Sequence, residues 1–100
     1  MYEDHDVVWD KIVIYFSNTE YKVVDKEEYY HILDHMIPFG KYKIHRTNGP
    51  AVIDERYRYY FINGVEITDK VWNWFRENGW DFIDGLDTTE KKMLFKLKFA

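Results

Sequence analysis

His31 and His35 stand four residues apart, with Asp34 beside the second. On a helix this spacing puts both imidazoles on one side, as two metal ligands need. The order His-Ile-Leu-Asp-His also echoes an inverted zinc-protease motif. No third ligand accompanies the pair, and both residues equally suit the polar face of an amphipathic helix. We expect no functional metal. His45 and Arg46 have two uses. They could bind a phosphate or carboxylate, because arginine makes bidentate contacts. They could instead brace the turn that follows by hydrogen bonds to its carbonyls. The turn-forming residues beside them favour bracing. Asp81, Asp84 and Asp87 recur at i, i+3, i+6, not at the i, i+2, i+4 of a calcium loop. They read as solvated acids ahead of the last helix. Ser17 lacks a nucleophile-elbow context, and no glycine-rich phosphate loop is visible. The residues show no catalytic constellation, so a non-enzyme without cofactor is expected.

The composition narrows the classes further. One hundred residues make one domain, 1–100. Hydrophobic residues are 46% and aromatics 20%, which suits a dense core and excludes a disordered chain. The net charge is −4, from 14 basic and 18 acidic residues. That argues against nucleic-acid binding, which needs a basic footprint. Cysteine is absent, so disulfides and thiolate zinc sites are excluded. No apolar run approaches the roughly 20 residues of a membrane span. The opening MYEDHD is acidic, unlike a secretory signal. A soluble cytoplasmic protein is expected.

The elements that must position these residues centre on His45 to Ile67. Thr47-Asn48-Gly49-Pro50 is one turn signal, since Asn and Gly tolerate positive φ and Pro cannot continue a helix. Asn63-Gly64 between apolar and aromatic residues is the signal of a two-residue type I′ hairpin. Ala51-Val52-Ile53 and Arg56 to Ile62 read as strands, giving an antiparallel meander. Before it, an acidic lead-in over 1–10 precedes a strand from Lys11 to Phe16, although a helix through Val7 to Tyr15 also fits the pattern. Glu20 to Val24 returns as a second strand. Asp25 with Glu28 has capping-box spacing, followed by Tyr29, Ile32, Leu33 and Met36 on one helical face. Pro38 and Gly40 end that helix, and Lys41 to His45 reads as a short strand. Thr68 is placed to cap a second helix with the ridge Val71, Trp74 and Phe75, which Asn78-Gly79 stops. Trp80 to Leu86 reads as irregular. Thr88-Thr89-Glu90 opens a last element, helical at first, with an end that also fits an extended strand.

His45-Arg46-Thr47-Asn48-Gly49-Pro50-Ala51, an aromatic strand and then Asn63-Gly64 resemble a repeat of short proteins from tailed bacteriophages. That pattern runs His-Arg, two residues, Gly-Pro-Ala, a Tyr- or Trp-rich strand, then Asn-Gly, and is loosely similar to MORN-type hairpin repeats. Some of those proteins also end in a segment like Thr88 to Lys98. One copy is visible, from His45 to Gly64. The usual glycine turn between its strands is replaced by Asp54-Glu55-Arg56, and Val65-Glu66-Ile67-Thr68 stands where a second His-Arg would follow. A single copy excludes a long solenoid. The resemblance implies phage origin and carries no catalytic residues to transfer.

The aromatic strand is also anomalous. Alternation puts Tyr57, Tyr59 and Phe61 on one face and Arg58, Tyr60 and Ile62 on the other. The alternation is less clean than a sheet with one wet face requires, so either helices cover the second face or a partner meets it. Trp72 adds to this. A helix turns about 100° per residue, which leaves Trp72 at the edge of the sector shared by Val71, Trp74 and Phe75. The Trp80 to Leu86 segment could fold back over it. Trp, Tyr and Arg are enriched at binding hot spots, so Trp72, Arg58 and Tyr60 are the candidate partner-binding residues. His45, Arg46, Asn48, Gly49, Pro50, Asn63 and Gly64 are the structural turn residues.

The expected fold is α+β: a small antiparallel sheet of about four to six strands with two or three short helices packed on it. The expected function is a phage accessory protein that binds a host protein used in antiviral defence, the phage and host part being implied by the resemblance. A self-assembling structural protein, and a small metal-dependent hydrolase through His31 and His35, are the alternatives; a homo-oligomer stays open, with no nucleic-acid or membrane partner.

Overall fold

The computed structural model describes residues 11–35, 43–54 and 56–100. The expected acidic lead-in, the start of the alternative helix at Val7, the helix end at Met36, Pro38 and Gly40, and the strand residues Lys41 and Tyr42 lie outside them. The chain is α+β; the described residues form an antiparallel four-stranded sheet, a two-stranded hairpin and three helices.

β1 (Ile12–Tyr15) and β2 (Tyr21–Val24) form a hairpin in the register Ile12↔Val24 to Tyr15↔Tyr21. Ser17 closes its loop, its Oγ accepting from the N–H groups of Thr19 and Glu20. β3 (Val52–Ile53) pairs with β1, and β4 (Arg58–Tyr59) pairs with β3, giving the order β2-β1-β3-β4. The β3–β4 connection works without glycine. Asp54 Oδ1 accepts from the N–H groups of Arg56 at 2.8 Å and Tyr57 at 2.6 Å, so its carboxylate replaces a backbone turn.

β5 (Phe61–Ile62) and β6 (Val65–Glu66) form the second hairpin. Its loop is Asn63-Gly64, with φ of 50° and 84°. Positive φ at both central residues is the type I′ geometry, whose twist matches the strands.

The expected continuous strand from Arg56 to Ile62 is broken at Tyr60. The Tyr60 N–H donates to Thr68 Oγ1 at 3.0 Å, and its carbonyl accepts from Ile67 N–H at 2.8 Å. The break cancels the alternation, so Tyr60 and Phe61 are both buried although adjacent. They enter different cores. Phe61 joins Ile12, Ile14, Val24, Ile44 and Val52; Tyr60 joins Val71, Trp74, Phe75, Leu86 and Phe95. A period-2 reading cannot detect this, because a side-chain hydroxyl eight residues away replaces the ladder partner.

Residues 43–46 are not a strand, contrary to expectation, yet they join the two sheets. His45 N–H donates to Tyr15 O, Arg46 N–H to Phe61 O, and Gly64 N–H to Ile44 O. The backbone is satisfied on both sides without regular pairing.

α1 (Lys26–His35) starts where Asp25 Oδ1 accepts from Glu28 N–H at 2.9 Å. The Glu28 carboxylate pairs with Lys22 Nζ at 2.6 Å, so its side chain serves β2. Tyr29, Ile32 and Leu33 pack on the first core. α2 (Thr68–Glu77) begins one residue earlier than expected. Its N-cap is Ile67 and no side chain caps it; the Thr68 hydroxyl is engaged by Tyr60 N–H and donates to Glu66. A Schellman pair ends it: Trp80 N–H donates to Phe75 O and Gly79 N–H to Arg76 O, with Gly79 at φ 70°. α3 (Thr89–Phe99) is capped by Thr88, which accepts from Lys91 N–H, and stays helical to Phe99.

Candidate partner-binding surface

The expected turn residues form one connected unit. Arg46 lies over the Tyr15 ring, 3.8 Å from its centroid. Its Nε donates to Asn48 Oδ1 at 2.8 Å and an NH group to the Pro50 carbonyl at 3.0 Å. Arg46 therefore closes its own turn. Gly49 sits against it: a Cβ there would stand 2.9 Å from the guanidinium carbon. Asn18 holds the same loop from outside, donating to Thr47 Oγ1 and accepting from Thr47 N–H. His45 Nδ1 accepts from Asn63 N–H at 2.9 Å, tying this turn to the second hairpin.

That bond needs an unprotonated Nδ1. Burial pushes the His45 pKa below its usual 6.5. The unfolded chain then takes up the proton more readily than the folded one. This contribution to stability is complete above the unfolded pKa and is lost as pH falls through the folded one. Chemical unfolding at about pH 7.5 and about pH 5 should show a drop that His45→Gln reduces. Equal pH dependence in both proteins would contradict this.

A groove of about 520 Å³ lies between β4, α2 and the 80–86 segment, lined chiefly by Tyr57, Arg58, Tyr59, Trp72, Phe82 and Ile83. Trp72 leaves the core face of α2 and remains 48% exposed. Phe82 stacks on its ring at 4.5 Å and 19°. The 80–86 segment thus folds back over part of Trp72 and leaves the rest open. Asp81 Oδ1 accepts from Ile83 N–H at 2.9 Å, shaping the turn that carries Ile83, which is 74% exposed. Tyr57 and Tyr59 rings stand 6.1 Å apart along the opposite wall. Burial raises the Tyr59 pKa, with Asp54 and Glu66 adding to it, so its phenol stays a hydrogen-bond donor. Arg56 and Arg58 border the groove, and neither side chain makes an ion pair among the described residues.

Of the three expected partner-binding residues, Trp72 and Arg58 line this groove and Tyr60 does not. Tyr60 is fully buried, packed by Phe75, Phe82 and Phe95. The chain break described above turned it inward. Phe82, Ile83 and Tyr57 were not singled out by the sequence reading. For Phe82 and Ile83 the signal was present in Trp80-Asp81-Phe82-Ile83, apolar residues set among acids in an irregular segment; for Tyr57 it lay in the aromatic strand.

Two further clefts occur among the described residues. One, about 590 Å³, runs beside β2 and is lined by Phe16, Tyr21, Lys43, His45 and Asn63 among others. Two of its polar side chains are engaged internally, Lys22 by Glu28 and His45 by Asn63 N–H. The third, about 380 Å³, lies between the Asn48–Pro50 turn, Arg58, the 83–86 segment and Lys92. Near Gly85 of this cleft, the Tyr60 hydroxyl is buried with no hydrogen-bond partner among the described residues. Such a group costs about 1–3 kcal/mol. Burial lifts its pKa to about 12, so it remains protonated.

No group of three or more His, Asp or Glu residues able to hold a metal occurs among the described residues. His31 is exposed on α1, and the His35 side chain lies outside the described set. Replacing His31 and His35 together by Gln should leave the melting temperature unchanged. Stoichiometric zinc in the purified protein, lost in that variant, would overturn the expectation. No helix among the described residues is long and apolar enough to cross a membrane. No protein-family model, curated protein or solved structure matches the chain.

Proposed function

We propose that this chain is a non-enzymatic accessory protein of a tailed bacteriophage that binds a host protein and thereby inhibits a component of antiviral defence. One observation carries the binding part. Trp72 is held by Phe82 in a fixed orientation while much of its surface stays open, beside Ile83, Tyr57 and Arg58. A pre-positioned aromatic next to arginine is the composition of an interface hot spot. Arg56 and Arg58 favour a partner that presents carboxylates around an apolar side chain. The phage and host part rests on the resemblance of His45 to Gly64.

Capture from bacterial lysate with the wild type and Trp72→Ala tests this. The variant should lose the captured protein with little change in melting temperature. Capture that survives the substitution would reject the groove as the interface.

An edge strand favours one second reading, self-assembly. Among the described residues β2 is an end strand of its sheet, and it exposes Tyr21 and Val23. A sheet edge is a template for pairing with another copy. A homo-oligomer that Val23→Lys dissociates, with nothing captured from lysate, would support this reading instead.

A further inference from the structure

We infer that the cleft between the Asn48–Pro50 turn, β4 and the 83–86 segment is a binding site for a compact oxyanion, a phosphate or a carboxylate. It lies beside the aromatic groove, sharing Arg58 and Ile83, and is separate in chemistry. Arg46, Arg58 and Lys92 line it, with Asp84 as the opposing charge. The chain as a whole carries a net charge of −4, so this cationic excess does not follow from composition.

The arrangement is built rather than incidental. Arg46 is half-buried and pinned by Asn48, Pro50 and the Tyr15 ring, so its charge is held at the wall. An anion meeting it loses no side-chain freedom there. The Asn48 oxygen accepts from Arg46, which leaves its NH₂ end as a donor. Gly49 and Gly85 both line the cleft, and neither brings a side chain into it.

Tyr60 supplies the independent observation. Its hydroxyl is the buried side-chain polar atom that lacks a partner among the described residues. It stands 3.6 Å from where a Gly85 Cβ would be, and Gly85 is one of the cleft's lining residues, although Tyr60 itself is not. The charges of Arg58 and Arg46 both act on it. An oxyanion seated against Gly85, with a small yielding of the 83–86 segment, gives this hydroxyl the acceptor it lacks. Two guanidinium groups, an ammonium and a phenol are the donors that recognise phosphate or carboxylate.

The test is a titration followed by amide NMR shifts, with sodium phosphate in one arm and sodium acetate in the other, against sodium chloride at matched ionic strength. Saturable shifts of the Gly49, Arg58 and Gly85 amides are expected. Tighter phosphate binding identifies a phosphate-bearing ligand, and tighter acetate binding a carboxylate. Arg58→Gln and Lys92→Gln should each weaken binding by about tenfold, and Tyr60→Phe should weaken it less while the protein stays folded. Shifts no larger than those in chloride, or binding unchanged in both cation variants, would overturn the assignment. No captured partner is needed, so this result is independent of the groove.

Discussion

Phe75→Ala should remove about 3–5 kcal/mol of folding stability. Phe75 is almost fully buried, with its ring 5.6 Å from Trp74, 5.7 Å from Trp80 and 5.6 Å from Phe82. Truncation opens a cavity whose walls are rigid rings, which relax poorly into it. A small domain holds about 5–15 kcal/mol in total, so the variant should be close to unfolding. Phe82 also loses its support, and with it the stacking that orients Trp72. Urea unfolding measures the first effect and the near-ultraviolet circular dichroism of the aromatics the second. A loss below about 1 kcal/mol would mean that Phe75 is not central to this core.

The second large effect is expected from Gly64→Val. Gly64 has φ of 84°, where a β-branched side chain is strongly disfavoured. The strain alone is about 1–3 kcal/mol. Gly64 N–H also donates to Ile44 O, and the neighbouring Asn63 N–H to His45. Distorting the turn therefore pulls on the junction between the two sheets. The urea midpoint should fall clearly; an unchanged midpoint would contradict the tight turn.

Asn63-Gly64 and the α2 ridge were legible in the sequence because their causes are local. Positive φ selects Asn and Gly, and a 3.6-residue period selects Val71, Trp74 and Phe75. The spacing of Asp25 and Glu28 gave the start of α1 for the same reason. Non-local causes were not legible. Nothing near Tyr60 announces that Thr68 will take its N–H, so the strand break and the inward turn of Tyr60 had no local sign. The Thr68 hydroxyl bonds Tyr60 N–H and Glu66 and makes no cap bond, because Thr68 is already inside the helix and Ile67 is its N-cap. Residues 43–46 lack the pairing of a strand, and Ile44, His45 and Arg46 bond instead to Gly64, Tyr15 and Phe61, in different elements. For the candidate groove, the helical angle placed Trp72 outside the core. Which residues would stand opposite it depended on how the 80–86 segment folds back, and irregular segments have no period to read.

The proposed protein-binding surface is centred on Trp72. It is tested by the affinity of the purified captured protein for the wild type and for Trp72→Ala, with both melting temperatures determined. Trp72→Ala should lose about 2 kcal/mol or more in binding, near thirtyfold, with melting shifted by only a few degrees. Equal affinity, or a melting temperature that collapses together with binding, would contradict it and make Trp72 a part of the core.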